Sequence, residues 1–425
     1  MHILLAPDRF TGNLTAVQAA ASLADGWHAG APDDTVTQLP LSDGSGGLLD
    51  VVAAARGGEL VTVAAPGPLG ETGPAAVLHV PGTAGGTAYV ETGQVIGAHL
   101  VRGQDRARAA GTGTSAGVGH LLTAARATGA RRIVVGLAGT SAVHDGGTGL
   151  LAALAEQAGA TVPGDVLGGG AAGLGALAPA DVEVLDAVRA WLEDLDVVLA
   201  VADDLPLLGL HGAGALLGND PAVGPVLAQE LERALGHATD LLEQRAAVLP
   251  APRAGLSLSG AGGAGHSHAR TAARPARSPG SGAGGGTGFM LQLLGARHLP
   301  GAEVVADAVD LRSRVAEADL VVTGARILDA PSLTESVVAT VARQALPLAL
   351  PVVVVAEEVR TSRREIAPLG ISGTYEVRDR RRTAVRVTQP GPDTHVEEAV
   401  DGAAASDLPQ ALAARAVRVA RTWSV

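Results

Sequence analysis

The chain has 425 residues and a formal net charge of −12 at pH 7, with 47% apolar but only 2% aromatic residues. This length exceeds one ordinary hydrophobic core and predicts two or three domains. The absence of cysteine excludes disulfides and thiolate metal sites. All 31 basic residues are arginine, which excludes lysine chemistry, and the acidic balance without a long basic tract argues against nucleic acid as a partner.

The same composition argues against a membrane partner. The longest apolar stretch, residues 345–356, contains two prolines and is too short to span a bilayer. The first residues predict a strand rather than a secretory signal. We therefore expect a soluble, cytoplasmic protein.

The first predicted strand, residues 2–6, is an apolar run of the kind that is buried on both faces of a parallel sheet. Asp8 follows at its carboxyl end, where ligands bind in open α/β sheets, so it is a candidate site residue. The alternative is that Asp8 only caps a turn. Residues 15–18 form a capping box at the start of a helix. One packing face of this helix is predicted to contain Val17, Ala20, Ala21, Ala24 and Trp27.

Strand-like runs then alternate with helical stretches, which predicts an α/β fold with mainly parallel sheets. The further predicted strands are residues 35–41, 131–137, 196–202, 319–325 and 351–357. Residues 255–284 are rich in Gly, Ala, Ser and Arg and predict a flexible linker. Residues 379–400 predict a surface hairpin or loop.

Small-residue loops that contain an acid or a hydroxyl follow several of these strands or lead into a helix. They are residues 41–47, 139–147, 279–288 and 323–329. Glycine loops that enter helices let backbone N–H groups approach an anion. Nearby aspartates can hold Mg²⁺ or accept a proton from a hydroxyl. Together these are parts of a phosphoryl-transfer site, although each loop taken alone can also be a tight turn.

In this order the loops resemble the type I glycerate kinase family, bacterial enzymes that phosphorylate glycerate with ATP. The resemblance rests on APDRFTGNL (6–14), SDGSGGL (42–48), GELVTVAAPGPLG (58–70), TSAGVG (114–119), GTSAVHDGG (139–147), LPL (205–207), PGSGAGGGTG (279–288) and TGARILD (323–329). It implies two α/β domains with the active site in the cleft between them. Residues 1–62 and 285–425 would form a flavodoxin-like or Rossmann-like domain, residues 63–254 an inserted α/β domain, and residues 255–284 the linker.

The resemblance also implies roles for particular residues. Asp8 and Asp43 would bind or deprotonate the acceptor hydroxyl, and Asp145 would act in catalysis and hold Mg²⁺. The cofactors would be ATP and Mg²⁺, and the small-molecule partners glycerate and ATP. Contacts to substrate or phosphate would come from Arg9, Ser141, Gly146, Gly147, Gly280, Gly282, Gly284, Gly285, Gly286 and Asp329.

Charged and polar positions depart from the family pattern while its glycines are retained. Family glutamates are replaced by Gly46 and Ala325, and Thr11, Pro221 and Ser336 lie at or near positions where the family has lysine. Arg9 and Arg326 either replace lost cations or point to solvent. His144 is either an imidazole base or a polar turn residue.

Two hypotheses follow from these departures. The first is an ATP-dependent kinase for glycerate or a similar small hydroxy acid. The alternative is a catalytically impaired or silent relative that binds a small anionic metabolite or a partner.

Overall fold

The computed structural model describes residues 1–10, 14–137, 140–162, 165–250, 274–377 and 407–424. The strands are β1 (His2–Pro7), β2 (Thr35–Gln38), β3 (Glu59–Pro66), β4 (Thr72–Val80), β5 (Thr87–Glu91), β6 (Arg132–Gly136), β7 (Asp196–Val201), β8 (Arg297–Pro300), β9 (Leu320–Leu328), β10 (Val352–Val359) and β11 (Ile371–Glu376). The helices are α1 (Ala16–Gly30), α2 (Leu48–Arg56), α3 (Gly93–Ile96), α4 (Arg106–Thr112), α5 (Ala116–Ala127), α6 (Thr148–Gln157), α7 (Gly170–Gly173), α8 (Val184–Leu192), α9 (Ala213–Leu217), α10 (Gly224–Val248), α11 (Thr287–Leu293), α12 (Gly301–Ala308), α13 (Leu311–Ala316), α14 (Val337–Ala345), α15 (Arg363–Ile366) and α16 (Leu408–Trp423). Within these described ranges, none of the helices is both long and apolar enough to cross a membrane.

The predicted strands are confirmed as β1, β2, β6, β7, β9 and β10. The capping box at the start of α1 is also confirmed, because Thr15 and Gln18 exchange their hydrogen bonds. The predicted packing face of α1 is partly wrong, since Val17 and Ala21 are exposed. Helix α1 instead packs on α16 through small residues, and a Cβ added to Gly26 would overlap the carbonyl oxygen of Ala413.

The chain divides into two compact units, of which the first contains residues 1–42 and 306–425 and the second residues 43–305. These divisions differ from the predicted boundaries at 62/63 and 284/285. The reason is strand pairing, because β3 pairs with β4, and β8 pairs with β7. Both pairs lie in the second unit.

The predicted linker, residues 255–284, includes residues that are packed in the second unit. Residues 255–273 of it, like the predicted hairpin or loop at 379–400, lie outside the described residues. Residues 274–284 are packed in the second unit, where the carbonyl oxygen of Ala276 accepts the N–H groups of Leu207 and Leu208 at 3.1 and 3.0 Å. Ala276 is also buried among the apolar side chains of that unit. A glycine-rich composition therefore marks close packing here rather than a linker.

In the first unit, five parallel strands form a sheet of order β11-β10-β9-β1-β2. Counted along this unit, the order is 2-1-3-4-5, which is that of flavodoxin-like folds. The predicted flavodoxin-like fold is confirmed. The strand order reverses between β1 and β9, and this switch point is where such folds bind ligands.

The second unit contains a sheet of order β3-β4-β5-β6-β7-β8. Strands β5 to β8 are parallel, whereas β3, β4 and β5 pair antiparallel. Residues 58–70 thus become an edge strand and the turn of a hairpin, in which Gly67 N–H donates to the carbonyl oxygen of Glu71 at 2.8 Å. Mainly parallel sheets were predicted, and the antiparallel pairs β3–β4 and β4–β5 are the exceptions.

Candidate active site

Asp8 lies at the switch point of the flavodoxin-like sheet. Its N–H donates to the carbonyl oxygen of Gly324 on β9 at 2.9 Å, and its Oδ1 accepts the N–H of Arg9 at 2.7 Å. The ring of Phe10 packs against Gly324, where a Cβ would lie 3.2 Å from Phe10 Cζ. This part of the first unit places Asp8 and Arg9, both half-buried, at the position where a ligand is expected. Arg326, two residues beyond Gly324, is exposed.

Asp329 closes a turn just after β9. Its Oδ1 accepts the N–H of Ser332 at 3.1 Å and the Ser332 hydroxyl at 2.6 Å. The hydroxyl hydrogen bond is the main reason why the pKa of Asp329 is lowered, and the charge of Arg360 adds to it. Asp329 is therefore an ionised carboxylate held in a fixed orientation.

In the second unit, the loop of residues 43–47 crosses the carboxyl ends of the parallel strands. Asp43 Oδ1 accepts the N–H of Ser45 at 2.9 Å and its hydroxyl at 2.6 Å. The backbone of this loop lies so close to β6 that a Cβ on Gly136 would overlap the Gly44 carbonyl oxygen. A Cβ on Gly301 would likewise overlap the carbonyl oxygen of Asp43. Glycines on the underlying elements thus position Asp43 at this edge of the sheet.

Glu91 is a further candidate site residue, which the sequence reasoning missed. It ends β5, and its Oε1 accepts the N–H of Gly47 at 3.1 Å. Gly47 is the N-cap of α2 and has a φ of +75°, a conformation that favours glycine. The signal was present, because Glu91 follows an apolar run just as Asp8 does, but that run was not recognised as a strand.

Asp145 is completely buried, and both of its carboxylate oxygens accept hydrogen bonds from the protein. Oδ2 accepts the N–H and the hydroxyl of Ser115 at 2.7 and 2.8 Å and the N–H of Gly149 at 3.1 Å. Oδ1 accepts the N–H of Gly147 at 3.0 Å. Burial raises the pKa of the carboxyl, and these donors oppose that effect.

This arrangement does not fit the predicted magnesium ligand at Asp145, because its oxygens are directed at protein donors. In the described part of the chain, no group of three or more His, Asp or Glu side chains is arranged to hold a metal ion. The geometry instead gives Asp145 the role of fixing the loop that precedes α6.

Two of the predicted glycine loops pack directly against each other. The N–H of Gly146 donates to the carbonyl oxygen of Gly285 at 3.1 Å. A Cβ on Gly285 would overlap the carbonyl oxygen of Val143, and one on Gly286 would lie 2.5 Å from the Gly146 Cα. Gly284, Gly285 and Gly286 are all buried. These contacts show what the glycines make possible, which is the close approach of a second loop.

The remaining glycines of residues 279–288 belong to the same assembly. A Cβ on Gly280 would lie 2.5 Å from His298 Nε2, and one on Gly282 would overlap the carbonyl oxygen of Pro206. Ser281 Oγ accepts the N–H of Leu207 at 2.9 Å. The structure therefore joins three segments that the sequence analysis identified separately, at residues 141–147, 205–207 and 280–286.

Ser141 and His144 lie on the loop after β6. The Ser141 hydroxyl donates to the carbonyl oxygen of Val143 at 2.9 Å and accepts the N–H of the same residue at 3.1 Å. Ser141 thus shapes the turn that presents His144. Burial lowers the pKa of His144 to about 4, so its ring is neutral at pH 7.

Comparison with known proteins identifies the family. Residues 3–405 match the sequence profile of the glycerate kinase family. The chain is 34% identical over 377 residues to an uncharacterised protein of Mycobacterium tuberculosis, covering 89% of this chain and 84% of the relative. It is 29% identical over 377 residues to the glycerate kinase of Bacillus subtilis, covering 89% and 90%. The corresponding values for the glycerate 2-kinase of Escherichia coli are 29% over 379 residues, covering 89% and 90%.

A solved structure agrees with these matches. The structure described as glycerate kinase 2 from Salmonella typhimurium LT2 superposes with a TM-score of 0.72 at 26% identity, covering 99% of this chain and 98% of that chain. The matched sequence includes every loop described above that contains a candidate site residue. The chain therefore belongs to the glycerate kinase family and is a kinase, an enzyme that transfers a phosphoryl group.

Proposed function

We propose that this chain transfers the γ-phosphoryl group of ATP to a hydroxyl of glycerate or of a similar small hydroxy acid. The observation that carries the proposal is the position of Asp8 at the switch point of the flavodoxin-like sheet, in a chain whose relatives include proteins named glycerate kinase. A carboxylate at this position can bind a hydroxyl and accept its proton.

In this reaction the oxygen of the acceptor hydroxyl forms a bond to the γ-phosphorus, and the bond from that phosphorus to the bridging oxygen of ADP breaks. A carboxylate takes the hydroxyl proton. Asp8 and Asp43 are the two candidates for this role. Each lies at the carboxyl end of a sheet and is oriented by a backbone N–H, from Arg9 and Ser45 respectively.

Magnesium enters as part of the donor substrate. Mg²⁺ keeps several waters and is held by the nucleotide phosphates together with one or two carboxylates. Asp43, in the loop of residues 43–47, is the candidate carboxylate for this role, whereas Glu91 holds that loop by accepting the N–H of Gly47. Asp145 is not a candidate for it, because its carboxylate is completely buried and accepts four hydrogen bonds from the protein.

The experiment is to measure ADP formation from MgATP with and without D-glycerate. We expect ADP formation that depends on glycerate, and a fall in kcat of about 10²–10⁴ in the variant that lacks the proton acceptor, either Asp8→Asn or Asp43→Asn. Asp25→Asn, at an exposed position on α1, is the control and should leave the rate unchanged. If no ADP forms while glycerate and MgATP each still bind, the silent-relative hypothesis replaces this one.

The variant Arg9→Ser tests, in the same assay, whether Arg9 supplies a positive charge in place of the family's lysines. If Arg9 offsets the charge of the phosphoryl group, its loss should lower kcat by about 10²–10³, as the loss of one such contact does in other enzymes. An unchanged rate would place Arg9 outside the phosphate site.

A further inference from the structure

Strand β3 forms one edge of the sheet in the second unit. Its eight residues pair with β4 in an unbroken antiparallel register, from Glu59 opposite His79 to Pro66 opposite Thr72. In the part of the chain that the structure describes, only β4 forms backbone hydrogen bonds with this strand. The other side of β3 is therefore a long edge at which a further strand can pair.

Contacts on the inner side of the hairpin show which backbone groups of β3 face this outer edge. Gln94, which follows β5, accepts the Ala76 N–H at 2.9 Å and donates to the Ala76 carbonyl oxygen at 3.0 Å. Ala76 therefore directs both groups away from β3, and Thr62, which lies opposite it, directs its own groups away from β4. The alternation of an antiparallel ladder gives Leu60 and Ala64 the same orientation as Thr62.

The side chains on the open face of β3 are exposed as well. Leu60 is 59% exposed, whereas Val63 and Ala65 pack against the apolar core of the second unit. Proteins usually protect an edge strand by lysine, proline, a bulge or a short length. The register of β3 contains no bulge, proline occurs only at its last position, and its one charged residue is Glu59 at its first position. An edge of this kind is expected to be covered by another strand.

We infer that β3 pairs with β3 of a second copy of this chain, antiparallel and around a twofold axis at Thr62. In this arrangement Thr62 lies opposite Thr62 of the second copy, and Leu60 lies opposite Ala64. Both members of each pair direct their backbone groups outward, so each pair exchanges two hydrogen bonds. Identical strands match in this way because a twofold axis places the same surface on both sides of the interface.

The side chains and charges are compatible with this register. Threonine pairs are among the favourable cross-strand pairs, and Leu60 gains apolar contact from Ala64 of the second copy. Glu59 lies opposite Ala65 of the second copy, so the two carboxylates do not oppose each other. A chain with a net charge of −12 can associate with itself only where like charges are kept apart.

The size of the edge determines how strong this contact is. A strand of eight residues is about 27 Å long and sheet layers lie about 10 Å apart, which gives on the order of 300 Å² per copy. Stable complexes bury about 800 Å² per partner. The dimer is therefore weak, forms reversibly at high protein concentration and dissociates on dilution.

Sedimentation velocity of the full chain over a concentration series tests the inference, in about 0.15 M salt so that the net charge is screened. We expect a monomer at low concentration and a dimer at high concentration. Thr62→Lys places two like charges opposite each other and should raise the dimer Kd at least tenfold. Thr72→Lys is the matched control, because Thr72 is exposed on β4 and not on the outer edge; its Kd should stay within twofold.

Amide hydrogen exchange, measured by NMR, distinguishes this dimer from one formed through another surface. The N–H groups of Thr62 and Ala64 should exchange more slowly as the dimer forms. Those of Val61 and Val63, which face β4, should be protected at every concentration.

Three results would overturn the inference. They are a wild type that stays monomeric at millimolar concentration, equal effects of Thr62→Lys and Thr72→Lys on the dimer Kd, and exchange at Thr62 that does not depend on concentration. Ala64→Lys, at an exposed position of the same edge, replaces Thr62→Lys if that variant has a lower melting midpoint than the wild type.

Discussion

Ser115 donates both its backbone N–H and its hydroxyl to Asp145 Oδ2, at 2.7 and 2.8 Å. The same hydroxyl accepts the N–H of Leu150 at 2.9 Å. One buried carboxylate and one serine thus connect the start of α5 to the start of α6. The loop that presents Ser141 and His144 lies directly before this connection.

Asp145→Asn should therefore unfold more easily than the wild type. The amide NH₂ group would face backbone donors where a carboxylate oxygen now accepts them, and leaving such buried groups unpaired costs about 1–3 kcal/mol each. We expect a lower midpoint in urea with an unchanged slope. Asp181→Asn is the control, because Asp181 is half-buried and accepts one N–H, from Ala178. Normal stability combined with weakened nucleotide binding would instead restore a ligand role for Asp145.

Gly285→Ala tests the contact between the two glycine loops. Gly285 has a φ of +64°, and its Cβ would overlap the carbonyl oxygen of Val143, so the loops must separate. Gly159→Ala is the matched control, with a φ of +71° and open space around it. Backbone strain alone costs about 1–2 kcal/mol, so the loss in Gly159→Ala should stay in that range. Gly285→Ala should lose clearly more in thermal or urea unfolding, and equal losses would contradict tight packing.

Stability should fall in acid because of His144. Its pKa is about 4 in the folded chain and near 6.5 when unfolded, so the unfolded state binds more protons between these values. The free energy of unfolding therefore decreases as pH falls through this window, by up to about 3 kcal/mol. The negative charge of Asp220 reduces the effect, and Arg106, whose Nη2 lies 2.7 Å from Asp220 Oδ2, acts the other way.

His144→Gln isolates this contribution. Burial of Asp145 raises its pKa and so acts in the opposite direction in acid, but it is present in both proteins. The free energy of unfolding of the wild type should fall relative to that of the variant between pH 7 and pH 4. A difference that does not depend on pH would show that the His144 ring titrates normally.

Glu91 should act as a positioning residue for the loop of residues 43–47. Glu91→Ala removes the acceptor for Gly47 N–H and should lower kcat about tenfold or more, because small displacements of catalytic groups are costly. Glu91→Gln keeps an acceptor oxygen and should retain most of the rate. Exchange of the Gly47 amide proton, measured by NMR, should be faster in the alanine variant only. Equal rates in both variants would argue against the role.

The elements that were predicted correctly are those whose sequence pattern lies within a few consecutive residues. The apolar run of β1 and the capping box of Thr15 and Gln18 are of this kind, and both are present. Val17 was wrongly assigned to the packing face of α1, because the spacing of apolar residues identifies a helix but not the element that it packs against. Here the partner is α16, far along the chain, which packs against Gly26. The antiparallel pair of β3 and β4 was missed because the turn residues 67–70 were assigned to a family motif and not considered as a hairpin.

The glycine loops show a different limit of sequence reasoning. A buried glycine such as Gly285 indicates that something comes close to the backbone, but not what it is. The sequence favoured a phosphate at Gly284, Gly285 and Gly286, whereas the structure places the loop of Val143 against them.

The strand order of the first unit has a consequence for synthesis on the ribosome. The carbonyl oxygen of Ala6 in β1 accepts the hydroxyl of Thr323 in β9, a residue 317 positions later. At about 5–20 residues per second, translation of that interval takes roughly 15–60 s. Residues 43–305 are contiguous and leave the ribosome within that time. The edge of β1 that pairs with β9 remains unpaired until β9 has been synthesised. A nascent chain that stalls after residue 305 therefore leaves an apolar strand without its second partner, a state that chaperones must protect from aggregation.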